Sequence, residues 1–218
     1  MKRILLSFIL LFAGCSIYAQ QDRNAREILD KVTQTMQSCK SIEAGFSFEM
    51  ENKEQHINEK HTGNIVLKGN KYVVRLQEMG LEVYSDGKNV STYMKEANEV
   101  TISTFGADQE NGLMDPSKVF TIYKNGFDYK YIGEEHQNGK NVYVIDLIPQ
   151  KNNENTYSRI KVSIDKEKMI ICSAAMQGKD GNTYTVTVDQ FKTDKPLNDS
   201  FFVFDPKKYP GIEVTDMR

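Results

Sequence analysis

The sequence predicts an α+β fold: one large, curved antiparallel sheet of about eleven strands, left open as an incomplete half-barrel, with an N-terminal helix and a second, lid-like helix over its apolar face. Three observations carry this. The apolar period switches from helical to two at residue 43 and holds almost to residue 191. Turn dipeptides punctuate the run at hairpin spacing. Two stretches have a helical period instead, one ahead of the run and one interrupting it once, and both open with helix-capping residues. A length of 218 residues suits a single domain, and at this size about 70% of the unfolded surface can be buried. A net charge of −2 lacks the basic excess of a nucleic-acid protein. A mean hydropathy of −0.54 excludes a bundle of membrane-spanning helices.

Residues 1–19 read as a signal peptide, leaving 20–218 as one domain. Lys2 and Arg3 are its positive start, Ile4 to Ala13 its apolar run, and Ile17-Tyr18-Ala19 its cleavage site. Phe12-Ala13-Gly14-Cys15 offers a competing reading, a lipoprotein box in which Cys15 is acylated. The first helix follows. Asn24 and Glu27 form a capping box, and Ala25, Ile28, Leu29, Val32 and Met36 make one apolar stripe ending near Cys39.

From Glu43 the chain alternates: Phe46, Phe48 and Met50 oppose Gly45, Ser47 and Glu49. Gly69-Asn70, Met79-Gly80, Asp86-Gly87 and Ala97-Asn98 divide residues 43–104 into consecutive hairpin-linked strands. Asp115-Pro116 starts the second helix, whose face is Pro116, Val119, Phe120 and Tyr123 and whose stop is Asn125-Gly126. Strands resume at 127–136, 140–149, 157–165, 169–177 and 183–191, and the last stretch, with Pro196, Pro206 and Pro210, reads as an extended tail. In the last strand Tyr184, Val186 and Val188 form the dry face.

Catalytic patterns are missing from this chain. It has no phosphate-cradling glycine loop, no His-Glu-x-x-His, no Gly-x-Ser-x-Gly and no Cys-x-x-Cys. No cofactor, metal or enzymatic activity is expected. His56 and His61 flank the first hairpin turn and read as solvated. Cys39 and Cys172 remain after processing, and two free thiols is the simpler state, with a disulfide allowed in an exported protein. Nine methionines supply adaptable apolar surface, with Met50, Met79, Met94, Met114 and Met176 on or beside the predicted sheet and lid.

Three segments, in order, resemble the periplasmic outer-membrane lipoprotein carriers of the LolA type. They are Ser41-Ile42-Glu43-Ala44-Gly45-Phe46-Ser47, then Tyr84-Ser85-Asp86-Gly87-Lys88 with Tyr93, and finally Phe202-Val203-Phe204-Asp205-Pro206 with Pro210-Gly211-Ile212-Glu213-Val214-Thr215-Asp216. Two departures stand out. Ser91-Thr92 occupies the place of a family tryptophan, and Lys68-Gly69-Asn70 the place of a Lys-Arg-Pro turn whose arginine fastens the lid. The resemblance implies a monomeric periplasmic chaperone. It would take acylated lipoproteins from an inner-membrane export machinery to an outer-membrane acceptor, with their acyl chains in an apolar cavity. Expected lining residues are Phe46, Phe48, Met50, Met79, Leu113, Met114, Val119, Phe120, Tyr123 and Met176. The same resemblance admits a Cys15-tethered receptor or a lipid-sensing envelope regulator.

Overall fold

A computed structural model describes residues 23–106, 122–124, 126–150 and 157–218. The processing signals at residues 1–19 fall outside these. Helix α1 (23–38) is followed by six strands in sequence order: β1 (Ile42–Asn52), β2 (Ile57–Lys68), β3 (Lys71–Leu76), β4 (Leu81–Ser85), β5 (Asn89–Met94) and β6 (Glu99–Thr104). The second half carries β7 (Phe127–Gln137), β8 (Lys140–Pro149), β9 (Tyr157–Asp165), β10 (Ile171–Gly178) and β11 (Thr183–Thr193), and the tail adds β12 (Glu213–Asp216). No helix among the described residues is long and apolar enough to cross a membrane.

All twelve strands form one open sheet in the order β12-β6-β5-β4-β3-β2-β1-β11-β10-β9-β8-β7. Among the described residues β1–β6 and β7–β11 are each a local meander; the two meanders join where β1 pairs with β11, and the tail strand β12 crosses back to β6. The pairs are antiparallel except β12 on β6, which is parallel. Turn chemistry fixes the hairpins: Gly69, Gly87, Gly139 and Gly181 all take positive φ, as do Asn98 and Asn138.

The sheet curls around α1. Ala25, Ile28, Leu29, Val32 and Met36 are buried in one cluster that also contains Tyr72 of β3 and Phe127 of β7. Those strands are seven steps apart in the sheet, about 34 Å if it were flat, whereas a helix is about 10–12 Å across. A single helix reaches both only if the sheet wraps it.

Two expectations need correction. The described residues hold one α-helix rather than two. The predicted second helix lies mostly outside them, and its described end, Ile122–Lys124, is a single 3-10 turn, the tighter form short segments take before a stop such as Gly126, whose φ is 78°. The sheet has twelve strands among the described residues rather than about eleven, because the tail ends in β12. Proline and charge hid this strand, which needs only four residues at an edge.

The tail also buries a second face. Val66, Val73, Tyr84, Tyr93 and Val100 on the side away from α1 pack with Phe202 and Phe204, joined by Leu197, Phe201, Tyr209 and Ile212. Phe202 is fully buried. The ring of Phe204 lies 5.5 Å from that of Tyr84, 5.4 Å from Tyr93 and 4.8 Å from Tyr209. The alternation predicted one polar sheet face; across β2–β4 both faces are apolar, and the tail covers the one away from the helix.

Candidate functional site

The side of the sheet that faces α1 is unevenly filled. Cross-strand register aligns Tyr131, Ile145, Val162, Ala174, Val186 and Phe48 in one row, and Tyr129, Leu147, Ile160, Met176, Tyr184 and Met50 in the next. On β8 and β9 these rows are core: Ile145 is 0% exposed, Leu147 2%, Ile160 3% and Val162 4%. Toward β10, β11 and β1 burial falls away, and Ala174, Val186, Val188, Phe46, Phe48, Met50 and Tyr184 are only half-buried. Ile65, Val74 and Val83 continue that state across β2–β4. A sheet in water gains by burying such side chains, at about 25 cal/mol per Å². A half-covered apolar band beside a complete core is the distinctive feature of this face.

The ends of the band differ. At one end the β1–β2 and β10–β11 hairpins bring a polar cluster together. Asn52 Nδ2 donates to Asn182 Oδ1 at 2.7 Å, Asn182 Nδ2 donates to Asp180 Oδ2 at 2.8 Å, and the Tyr184 hydroxyl donates to the same oxygen at 3.2 Å. The Tyr184 ring, anchored there, stacks on Phe48 at 6.2 Å. At the opposite ends of β1 and β2, Ile42 and Leu67 are buried in one cluster with the apolar stripe of α1. The Tyr123 hydroxyl donates to Asp30 Oδ1 at 2.8 Å and bonds with Thr33 Oγ1 at 2.9 Å, fastening the 3-10 turn to the helix. Burial, with the Asp30 carboxylate adding to it, pushes Tyr123 up to about 12.

The predicted lining residues therefore divide. Phe46, Phe48 and Met50 lie together on the half-open band. Met79 sits in the 3-10 turn after β3, 45% exposed, at its margin. Tyr123 at 5% exposure and Met176 at 7% belong to the core beneath. Leu113, Met114, Val119 and Phe120 lie outside the described residues. Sequence reasoning did not place Val186 and Val188 in the lining. Their alternation was visible, but which strand they meet is set by the β1–β11 pairing, which no local signal announces.

Lys68, standing where the resemblance expects the lid-fastening segment, turns the other way. Its Nζ donates to Leu197 O at 2.8 Å and to Asp199 Oδ1 at 2.9 Å, while Lys71 Nζ reaches Asp199 Oδ2 at 2.6 Å. Both cations hold the tail, and Lys71 and then Lys68 depress the Asp199 carboxyl to about 2. Arg75 adds to this side, its guanidinium 5.5 Å from the Tyr84 ring centre and 5.7 Å from that of Phe201.

Reactive chemistry is sparse among the described residues. No group of three or more His, Cys, Asp or Glu is placed to hold a metal. Cys39 and Cys172 are free and half-buried. Burial raises both thiols, with Asp194 adding at Cys39, so neither is activated as a nucleophile. The arrangement suits holding a flexible apolar ligand.

The fold is similar to that of a solved structure. A crystal structure of an uncharacterized conserved protein from Thermus thermophilus superposes with a TM-score of 0.60 at 15% identity, covering 88% of this chain and 99% of that one. A LolA superfamily protein from Nitrosomonas europaea gives a TM-score of 0.45 at 12% identity, covering 83% and 97%. An uncharacterized protein of Methanocaldococcus jannaschii is 27% identical over 212 residues; the match takes in 94% of this chain but spans only 58% of that relative's length. The sequence model of the family described as outer membrane lipoprotein carrier protein LolA matches residues 15–182. That is well over half of the chain, helix and first ten strands included, and the chain belongs to the LolA outer membrane lipoprotein carrier family.

Proposed function

We propose that the protein is a periplasmic chaperone that holds the acyl chains of lipoproteins against the half-covered band and carries them from the inner to the outer membrane. The observation that supports it is the band itself: Phe46, Phe48, Met50, Val186 and Val188 stay half-exposed beside a core buried to a few percent. Family membership points the same way, since the family is described by carriage and not by a reaction. Export rests on the residues 1–19 signal, with Gln20 as the first residue of the carrier.

Energetics favour a partly open site. Burial is worth about 0.8 kcal/mol per methylene, so two chains of roughly fourteen methylenes gross about 20 kcal/mol, close to the ceiling for non-covalent affinity. A carrier that covered them fully would not release them. A band bounded by α1 at one end and by the Asn52–Asn182–Asp180 cluster at the other covers a chain in part. The inner-membrane export machinery supplies the work of loading, and an outer-membrane acceptor takes the chains by offering a drier site.

The test uses inner-membrane vesicles carrying a labelled lipoprotein and its export machinery, with the mature chain added and an unacylated cargo as control. Acyl-dependent release of label into the soluble fraction, in complex with this protein, is the expected result. No release by a folded protein refutes the carrier reading. The Ala13-Gly14-Cys15 box supports a second reading, a tethered receptor on the same fold, and mass spectrometry separates the two by finding acylated Cys15 or free Gln20.

A further inference from the structure

One row of the band crosses the strands without a break in apolar character except for a glycine. Val188 of β11 pairs with Phe46 of β1, and Phe46 with Gly63 of β2. Leu76, at the end of β3, pairs with Leu81 of β4, and Leu81 with Met94 of β5. At Gly63 the missing side chain is replaced by neighbours. A Cβ there would stand 2.7 Å from Phe46 Cζ, 2.8 Å from Leu76 Cδ2 and 2.7 Å from Arg75 O. The Phe46 ring thus lies over the glycine and touches the space that Leu76 fills from the far side. Gly63 has no positive φ to explain it, so the close approach does. Beyond the ring the row runs outward to Met94, 45% exposed, with Met79 equally exposed in the adjoining turn.

From Val188 to Met94 the row crosses five strand steps, about 24 Å, which is the scale of one extended acyl chain. Phe46 divides it. On the inner side lie Val188 and the half-buried band; on the outer side lie Leu76, Leu81 and the two exposed methionines. We infer that Phe46 sets the length of acyl chain the band accepts: its ring stands over Gly63 where methylenes would otherwise lie, and closes the outer half of the row to the ligand. The chemical class is a saturated acyl chain, and the position read is its distal end. The inference rests on the acyl-binding reading of this same face.

The test measures displacement of a fluorescent fatty acid by lauric, palmitic and stearic acids from the full mature chain, its Phe46→Ala variant and its Phe46→Leu variant. Far-UV circular dichroism and urea melts confirm that each is folded. A methylene that gains full burial raises affinity about fourfold. In the parent, affinity levels off with length, because the outer half is closed. In Phe46→Ala the stearic-to-lauric ratio rises by about tenfold or more, since even two or three added methylenes reaching Leu76 and Leu81 suffice. Phe46→Leu gives the same direction with a smaller rise, and adding Leu81→Asp to Phe46→Ala removes the gain. If the variants bind all three acids with an unchanged ratio, Phe46 is only a wall and the inference is overturned while acyl binding stands. If the folded parent binds none of the acids, the acyl reading and this inference fall together.

Discussion

Replacing Phe48 with aspartate separates binding from folding. Phe48 stands mid-band, opposite Val186 on β11 and His61 on β2, with its ring 6.2 Å from that of Tyr184 and inclined by 22°. Because it is half-buried, the substitution loses only part of the about 1.5–3 kcal/mol of a fully buried aromatic, together with about 0.5–1 kcal/mol of ring contact. The sum is about 2 kcal/mol against a typical total of about 5–15 kcal/mol, so the protein stays folded. Binding suffers more. The new carboxylate keeps its water over a patch that three or four methylenes would cover, at about 0.8 kcal/mol each. A loss of about 3 kcal/mol raises Kd roughly a hundredfold. Fluorescent fatty-acid titration measures that loss, with urea melts run in parallel. Phe202→Ala is the control: it empties the fully buried tail-side core, costing about 3–5 kcal/mol of stability, and leaves Kd per folded molecule unchanged. Phe48→Asp binding as tightly as the parent, or Phe202→Ala losing affinity while still folded, refutes the assignment of the site to the helix-side face.

Gly63→Ala destabilises by about 1–3 kcal/mol through overpacking against Phe46, Leu76 and the Arg75 carbonyl, read as a shift of the urea midpoint with unchanged slope. Tyr123 has a folded pKa raised from 10.0 to about 12. The stability from its neutral hydroxyl is therefore whole below pH 10 and falls as pH rises toward 12. Tyr123→Phe flattens that part of the pH–stability curve, measured by thermal melts. Asp199 shows the opposite sign: its carboxyl, lowered from 3.8 to about 2, contributes above pH 3.8 and loses that contribution as pH falls toward 2. Asp199→Asn and high salt both loosen the tail, seen as faster tryptic cleavage at Lys207 and Lys208, because the pair is exposed and screened.

Much of the sheet was legible because hairpins are local. Asn138-Gly139 and Asp180-Gly181 named their turns, and the strands they join begin and end within about two residues of the pattern's limits. The tail-side core was missed for a different reason. Val66-Leu67, Tyr72-Val73-Val74 and Val83-Tyr84 are adjacent apolar residues, the mark of strands buried on both faces. The signal was present, but period-two reading assigns such runs to one face. The β1–β11 pairing had no local mark at all. It unites segments from opposite ends of the chain, and with it the band of Phe46, Phe48, Val186 and Val188 came into being. Phe46, Phe48 and Met50, carried by one strand, could be read as one face from the alternation, whereas Val186 and Val188 come beside them only through the strand pairing.

The seam between β1 and β11 also sets an order of events. Each half of the sheet is a set of nearest-neighbour hairpins that can form on microsecond timescales. Joining them needs residues near 45 to meet residues near 190, a closure whose entropy must be met before the pairing rewards it. A chain delivered N-terminus first cannot make this join until almost all of it has emerged. Until then α1 has only part of its wrap, and the helix-covered core, which draws on both halves, is incomplete. The topology therefore keeps the nascent protein loose for most of its synthesis and completes the helix-side face only when β11, the last strand but one, arrives.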